Sequence, residues 1–326
     1  MSIVKILKLF LITVLLSIAT LELSYREQWF DFYKPELLSL NSPQELVSEQ
    51  NKILVCGDSF SASPVSYVSV LRDSLSSYAV INAGIPGTGI RQHALALPGR
   101  IKAFKPKIFL YQFYVGNDLF DISHPWYSHA ISITRKMYWF VSDRILSFAF
   151  LNFRFAGVRY KFFDDAGGGY NPKEYDLFSA QSYSKREKFN YLAEPALIEN
   201  TLHLKHGRER DWKIFKDKFT SMAQYLDPSA KRIFVIIPHE SQWSQQMQIK
   251  HNMLGAVTGP LLSTDDYPLY KEIYKLCNEL NFEVFDFRKE ADLTGDKITL
   301  YYPNDPHLTP AGHQLLGKLI LKRIRR

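Results

Sequence analysis

Short apolar runs alternate with segments of helical spacing through two parts of this chain. Five runs have the length and composition of buried strands: 52–56, 79–82, 108–113, 232–238 and 282–287. Five segments have helical periodicity: 65–77, 89–104, 211–226, 267–280 and 310–324. Strands that alternate with helices in this way are typical of a parallel sheet with helices on both faces. We therefore predict an α/β fold, a three-layer α/β/α sandwich around a mostly parallel central sheet.

The region between the third and fourth predicted strands does not follow this alternation. Residues 119–210 are rich in aromatic side chains, notably at 137–140 and 148–155, and include a triglycine turn at 167–169. We interpret 119–210 as a helical insertion within a domain that spans 51–326, and we expect it to pack as a cap over the active edge of the sheet. Two alternatives stay open: a peripheral excursion without a functional role, and an aromatic and basic face that rests on a membrane.

The N-terminus carries an apolar stretch of the kind that enters membranes. Residues 9–21 are uncharged and are bounded by Lys8 and Glu22. That length suits the hydrophobic region of a signal peptide, and Ser17-Ile18-Ala19 offers a small-x-small cleavage site. The longer segment from Ile3 to Leu23, whose lysines can snorkel toward the headgroups, fits an uncleaved signal anchor as well.

The charges around this stretch predict where the domain lies. Positive residues precede it, so we expect the N-terminus inside and the following domain exported. We favour a signal anchor over 1–23, which leaves the domain in the cell envelope, outside the cytoplasm and tethered by a single helix. A cleaved signal peptide with a secreted or periplasmic domain is the alternative. Residues 24–50 contain Pro35 and Pro43 and are interpreted as a polar connector with one short helix.

Composition narrows the range of partners. The formal net charge is +7, but the basic residues are scattered and form no nucleic-acid-binding motif, so we expect no nucleic-acid partner. A basic surface that faces an anionic lipid or glycan is an alternative to a solvated basic face. Cys56 and Cys277 lie at neither metal-ligand nor redox spacing. We interpret both as buried free thiols; a disulfide between them stays open because the domain is expected to leave the cytoplasm.

The first predicted strand ends in a sequence that suits a nucleophile. Gly57-Asp58-Ser59 follows the apolar run directly, so a turn on the glycine presents Ser59 at the carboxyl end of the strand. In open α/β sheets, ligands and catalytic groups collect at that edge. A serine there is a candidate nucleophile if a base and oxyanion donors lie nearby. On its own, it fits a helix N-cap equally well.

Three further blocks supply candidate partners. After the second strand, Asn82–Gly89 is rich in glycine, which lets backbone N–H groups approach a ligand. After the third strand, Asn117 offers a side-chain amide that can donate to a developing oxyanion. Before the last helix, His307 is the candidate base and Asp305 the candidate group that orients it. His313, on that helix, is expected to pack rather than to catalyse.

Together these blocks resemble the SGNH/GDSL hydrolases, a family named for the serine, glycine, asparagine and histidine of four separated blocks. The order of blocks matches over roughly 50–118 and 230–326. The resemblance implies the flavodoxin-like fold of that family. It also implies a mechanism in which Ser59 is the nucleophile, His307 the general base and Asp305 the orienting acid. It implies neither a metal nor an organic cofactor.

The resemblance further implies an oxyanion hole. Its donors would be the backbone N–H groups of Ser59 and Gly87 together with the Asn117 side chain. Gly84 is the rival of Gly87, which is preferred because its spacing from Asn82 fits the second block of the family. The acyl group would pass to the serine and then to water or to a sugar hydroxyl.

One position departs from the pattern of the family. The aspartate commonly stands three residues before the histidine, where this chain has Asn304; Asp305 stands two before it. The same spacing occurs in relatives that act on bacterial exopolysaccharides, including alginate O-acetylation proteins. A backbone carbonyl is the alternative partner of His307.

Three functions are consistent with these features. The first is an exported or membrane-anchored serine esterase that acts on ester-linked acyl groups of a glycan or lipid. The second is an O-acyltransferase in the modification of envelope polysaccharides, for which water exclusion by 119–210 would favour transfer over hydrolysis. The third is a non-catalytic, membrane-anchored binding or assembly protein. The intact Ser59, Asn117 and His307 argue against the third, whereas the displaced aspartate and the aromatic insertion favour it.

Overall fold

The computed structural model describes residues 2–63, 65–162, 177–291 and 300–325. The triglycine turn predicted at 167–169 lies outside these ranges. Every predicted strand is present, and each strand end lies within one residue of the prediction. The strands are β1 Asn51–Cys56, β2 Tyr78–Asn82, β3 Ile108–Tyr114, β4 Lys231–Ile237 and β5 Glu283–Asp286.

The five strands pair in parallel in the order β2-β1-β3-β4-β5. This is the strand order of the flavodoxin-like doubly wound fold. The order reverses between β1 and β3, and ligands of such sheets bind outside the carboxyl ends of the strands at that point. The predicted α/β/α sandwich is therefore confirmed, and its described strands are all parallel.

Helices cover both faces of the sheet. One face carries α4 (Tyr67–Ser74) and α14 (Pro310–Arg325), and the other carries α5 (Ile90–Phe104), α10 (Arg208–Ala223) and α12 (Pro268–Glu279). Because successive strand residues point to opposite faces, Ile53 and Val55 join the first layer, whereas Leu54 and Cys56 join the second. Cys56 and Cys277 are both buried free thiols, as predicted. Burial raises the pKa of both.

Further helices lie in the loops between these elements. The segment between β3 and β4 contains α6 (Ile133–Ser142), α7 (Leu146–Phe162), α8 (Lys185–Ala193) and α9 (Leu197–His203). Two more helices follow β4 and β5, α11 (Gln245–Met253) and α13 (Phe287–Glu290). The helix predicted at 211–226 begins earlier, at Arg208, and its apolar side chains are buried against the sheet.

The N-terminal helix α1 (Ile3–Arg26) is long and apolar enough to cross a membrane. Its most apolar window has a mean hydropathy of 2.2, and none of that window is buried. The last turn, in contrast, is built into the domain. The Tyr25 hydroxyl lies 2.7 Å from the Tyr33 hydroxyl, and the Glu22 carboxylate accepts the free N–H groups of Leu146 and Ser147 at the start of α7.

The segment after α1 is more ordered than its polar composition indicates. We predicted one short helix in 24–50, and the structure has two, α2 (Lys34–Leu40) and α3 (Pro43–Val47). Phe32 and Tyr33 are buried with Tyr25 in an aromatic cluster that includes side chains of α7. The apolar residues of this segment therefore join α1 to the insertion.

Candidate active site

β1 ends in a tight turn that presents Ser59 at the carboxyl edge of the sheet. Gly57 stands where no side chain fits, since an added Cβ would lie 2.1 Å from Gln112 Oε1 and 2.5 Å from Ser61 Oγ. The Gln112 oxygen accepts hydrogen bonds from the Asp58 N–H and the Ser61 hydroxyl, both at 3.1 Å. These contacts hold the turn, and the Ser59 N–H has no acceptor within the described residues.

Asp58 is a structural carboxylate of this turn. Its Oδ1 accepts a hydrogen bond from the Phe60 N–H at 3.0 Å, and the residue is 1% exposed. Burial raises the pKa of Asp58, while the hydrogen bond from Phe60 and the charge of His307 lower it. Burial has the larger effect, and the resulting pKa is about 6. Asp58 thus has a structural role in this turn.

Ser59, His307 and Asp305 form a continuous chain of hydrogen bonds. Ser59 Oγ lies 2.8 Å from His307 Nε2. On the other side of the ring, His307 Nδ1 bonds Asp305 Oδ1, which also accepts the His307 backbone N–H at 2.9 Å. An ionised carboxylate only accepts, so Nδ1 of the neutral ring carries the proton and Nε2 presents its lone pair to the hydroxyl. In this tautomer His307 can take the Ser59 proton.

Two opposing effects set the pKa of His307. Burial lowers it, whereas the hydrogen bond and charge of Asp305, with the more distant charge of Asp58, raise it, and the result lies above the ordinary value of 6.5. The Phe60 ring packs beside the imidazole, with centroids 5.0 Å apart. His307 is therefore a somewhat stronger base than a free imidazole.

Asn304 occupies the position at which the resemblance expects the acid, but it has other partners. Its Oδ1 accepts a hydrogen bond from the Ser179 N–H at 2.7 Å, and its Nδ2 donates to the Leu177 carbonyl at 2.8 Å. The side chain is thus committed to the segment that follows α7, and Asp305 is the carboxylate that reaches His307.

Within the glycine-rich block, hydrogen bonding distinguishes the two candidate oxyanion donors, Gly84 and Gly87. The Gly84 N–H donates to Asn82 Oδ1 at 3.0 Å, so it is already used. The Gly87 N–H has no acceptor within the described ranges, and its φ of +65° lies in the left-handed region that favours glycine. Asn82 also donates to the Ser61 carbonyl at 2.8 Å, which ties this block to the turn of Ser59. The hydrogen bonding favours Gly87 over Gly84.

Asn117 is oriented by a carboxylate that sequence reasoning missed. Its Nδ2 donates to Asp121 Oδ2 at 2.9 Å. A carboxylate accepts but cannot donate, so the amide nitrogen must face Asp121, and its second N–H is left for another acceptor. Asn117 Oδ1 is buried without a partner among the described residues. The i, i+4 spacing of the two residues was the available signal.

A cavity of about 440 Å³ opens beside Gly87. Its walls are the segment after β2, the loop after β3 and helices α6, α7 and α8 of the insertion. Arg186 on α8 lines it, 3.4 Å from Asp121 Oδ1 and 3.9 Å from the point where a Cβ would stand on Gly87. The insertion therefore lies against the carboxyl edge of the sheet next to a predicted oxyanion donor.

Neither a family model nor a curated protein matches this chain. Among solved structures, the lipase/acylhydrolase of Enterococcus faecalis is 15% identical with a TM-score of 0.40, over 85% of this chain and 96% of that one. The resemblance is to GDSL-type lipases and esterases. A GDSL-like lipase of Bacteroides thetaiotaomicron is 11% identical with a TM-score of 0.42 (90% and 95% covered). A catalytic mutant of an acetylxylan esterase of Geobacillus stearothermophilus is 13% identical with a TM-score of 0.40 (84% and 94% covered).

Two other residues near the site, Gln112 and Arg186, were not identified from the sequence. Gln112 lies in β3, all of whose residues are buried. Because a buried amide needs hydrogen-bond partners, a glutamine within an apolar strand was the sequence signal for its role. Arg186 has no local signal, because only the packing of α8 brings it to Gly87. His313 packs as expected: its ring lies over Tyr67, and burial lowers its pKa to about 4.

Proposed function

We propose that this chain is a serine esterase of the SGNH/GDSL type that acts on ester-linked acyl groups of a glycan or lipid. One observation carries the proposal: Ser59 Oγ and His307 Nε2, 248 positions apart in the chain, lie 2.8 Å from each other. Asp305 bonds the opposite ring nitrogen. A nucleophile, a base and an orienting acid connected in this order are the requirement for acyl-enzyme chemistry.

The first half of the reaction forms the acyl-enzyme. His307 Nε2 takes the Ser59 proton while Oγ attacks the ester carbonyl carbon. The carbonyl oxygen becomes an oxyanion, for which the N–H groups of Ser59 and Gly87 and the Asn117 amide are the proposed donors. The C–O bond to the alcohol then breaks, and the imidazolium gives its proton to that oxygen. The acyl group remains on Ser59.

The second half regenerates the serine. Water gives a proton to His307 as its oxygen attacks the acyl carbon, and the bond to Ser59 Oγ breaks with return of that proton to the serine. The carboxylic acid leaves. Asp305 stabilises the imidazolium that forms twice in the cycle, and it holds the ring in the productive tautomer.

O-acyl transfer to an exported polysaccharide is a second candidate, and one observation favours it. The cavity beside Gly87 is walled by the insertion, which supports the proposed role of 119–210 as a cap. A walled cavity can hold an acceptor hydroxyl and limit the access of water. In this case the sugar hydroxyl, rather than water, attacks the acyl carbon.

The N-terminal helix supports an envelope location for the enzyme. α1 is apolar enough to span a membrane, and its last turn packs into the domain through Tyr25. We propose a signal-anchored enzyme whose domain lies outside the cytoplasm. The alternative is a signal peptide cleaved near Ala19. This cleavage is compatible with the structure because Tyr25 and the packed last turn of α1 lie after Ala19 and would stay with the domain.

The test is covalent labelling of the full chain with a fluorophosphonate probe. We expect labelling of the wild type and of Ser63→Ala, a matched control at a nearby serine that is outside the site, and none of Ser59→Ala. Equal labelling of Ser59→Ala, or none of the wild type, would contradict the proposal. Turnover of p-nitrophenyl acetate with and without an oligosaccharide acceptor then separates hydrolysis from transfer.

A further inference from the structure

The cavity beside Gly87 has an excess of positive charge. Four cationic side chains line it, against two carboxylates. The cations are Arg91, Arg135, Lys185 and Arg186, and the carboxylates are Asp121 and Asp143. Arg91 comes from α5, whereas the other three cations and both carboxylates belong to the insertion. Arg91 therefore joins this group only because the insertion packs against the start of α5.

The two carboxylates are already engaged by the imidazole of His124. His124 Nδ1 lies 2.7 Å from Asp143 Oδ1, its backbone N–H donates to Asp143 Oδ2, and its Nε2 lies 3.7 Å from Asp121 Oδ1. Burial lowers the pKa of His124, but the hydrogen bonds and charges of Asp121 and Asp143 outweigh this and raise it above the ordinary value. Asp121 and Asp143 thus already have partners among the described residues, because His124 contacts both and Arg186 lies 3.4 Å from Asp121 Oδ1.

Arg91, in the first turn of α5, forms no ion pair with the carboxylates of the described residues. In the described part of the chain its one hydrogen bond runs from Nη1 to the backbone carbonyl of Asp143, at 2.5 Å, and its Nε is buried without a partner. A guanidinium that is removed from water without a direct carboxylate partner is costly. Burial lowers the pKa of Arg91, and the charges of Asp143 and Asp211, which raise it, do not fully offset this. An anion in the cavity would supply the missing charge and the missing acceptor.

The other cations extend this positive wall toward the predicted oxyanion donors. Arg135 is held over the Phe189 ring, 4.9 Å from its centroid. Lys185 and Arg186 begin α8 and are exposed, and Arg186 reaches Asp121, the partner of Asn117. A group bound in the cavity would therefore lie beside Gly87, the proposed oxyanion donor that lines it.

We propose that this cavity binds an acidic sugar unit of the glycan that carries the ester, with its carboxylate on Arg91 and Lys185; this rests on the proposed esterase function. Guanidinium groups pair with carboxylates through parallel hydrogen bonds. Hydrogen-bonding side chains that suit sugar hydroxyls also line the cavity, among them Gln92, Ser142 and Asn190. A volume of about 440 Å³ accommodates a small ligand of this kind.

The test is equilibrium binding of trigalacturonate to full-length Ser59→Ala, which retains the cavity but lacks the nucleophile. We expect binding that weakens at least about ten-fold when Arg91→Gln or Lys185→Gln is added, since hydrogen bonds to charged groups are lost. Lys136→Gln, on α6 outside the cavity, is the matched control and should bind as the parent does. Lys185 is exposed, so its substitution keeps the test valid if Arg91→Gln fails to fold.

Several outcomes would overturn the proposal. They are no binding of trigalacturonate, equal binding of neutral cellotriose, or parent-like binding by Lys185→Gln. Tighter binding of dioctanoyl phosphatidylglycerol would assign the cavity to an anionic lipid instead. Because the measurement needs no turnover, failed fluorophosphonate labelling with intact trigalacturonate binding would remove the esterase proposal alone, and the reverse would remove the sugar site alone.

Discussion

The side chains of Asn117 and Asp121 are joined by a 2.9 Å hydrogen bond from the amide nitrogen to the carboxylate. The Asp121 backbone N–H also donates to the Asn117 carbonyl, at 2.8 Å. Backbone and side chain thus fix the Asn117 amide in one orientation. If this amide is the third oxyanion donor, Asp121 is the group that positions it.

This pairing predicts non-additive effects on catalysis. Loss of one oxyanion donor typically lowers kcat about 10²–10³-fold, and we expect that of Asn117→Ala. Asp121→Ala should lower kcat by roughly one order of magnitude, since the amide remains but is no longer oriented, and the double variant should be no slower than Asn117→Ala. Steady-state turnover of p-nitrophenyl acetate by the three variants measures this. Losses that multiply in the double variant would show that the residues act independently.

The pKa of His307 predicts the acidic limb of the pH profile. The base must be neutral to act, and its pKa in the folded protein is raised, so kcat/KM should rise with pH through a midpoint above 6.5. In Asp305→Asn the charge that raises this pKa is lost while the burial that lowers it remains. The midpoint should move to lower pH, and kcat should fall roughly 10²–10⁴-fold through loss of the tautomer and of imidazolium stabilisation.

A pH series of kcat/KM for both proteins is the measurement. The same midpoint in wild type and Asp305→Asn would exclude Asp305 as the partner of His307. It would favour a backbone carbonyl in that role, since a neutral carbonyl can fix the tautomer without raising the pKa as a charge does.

The turn before Ser59 predicts a steric effect on stability. In Gly57→Ala the new Cβ would meet Gln112 Oε1 at 2.1 Å, so the free energy of unfolding should fall by about 1–3 kcal/mol, as overpacking typically costs. Gly99→Ala is the matched control, because a Cβ at Gly99 in α5 meets nothing within 4 Å. There we expect a gain of roughly 0.5–1 kcal/mol from helix propensity. Urea unfolding of the two variants tests both signs.

The partners of Asn304 predict the outcome of restoring the more common aspartate. Asn304→Asp keeps the acceptor for the Ser179 N–H but replaces the amide that donates to the Leu177 carbonyl. The carboxylate would then face a carbonyl oxygen, and we expect a loss of about 1–3 kcal/mol in stability with no gain in kcat. Thermal unfolding and esterase assays check this. A faster Asn304→Asp enzyme would mean that this position, and not Asp305, suits the acid.

Much of the fold was predictable because local patterns encode it. The residues of β3 are apolar or aromatic except for Gln112, which is typical of a strand covered on both faces. The blocks that follow β1, β2 and β3 must meet at one edge, since parallel strands place their carboxyl ends together. The Ser59 and Asn117 candidates follow from that reasoning, whereas His307 was found in the block before the last helix. The second helix in 24–50 was not anticipated, although Ser42 and Glu45 form a capping box at its start, which is a local sequence signal. The burial of Phe32 and Tyr33 was not predictable, because it depends on packing against distant α7.

The sequence by itself determined the α/β class, the order of the four motif blocks along the chain, and the candidate nucleophile and base. Each of these depends on spacing along the chain. Only the tertiary structure decided that Asp305 rather than Asn304 reaches His307, that the Gly84 N–H is occupied, and that Asp121 orients Asn117. It alone brought Arg91 and Arg186 to one cavity. The physical reason is that hydrogen bonds and charges act over a few ångströms, whereas their partners here lie up to hundreds of positions apart, so their pairing depends on how loops pack and not on local pattern.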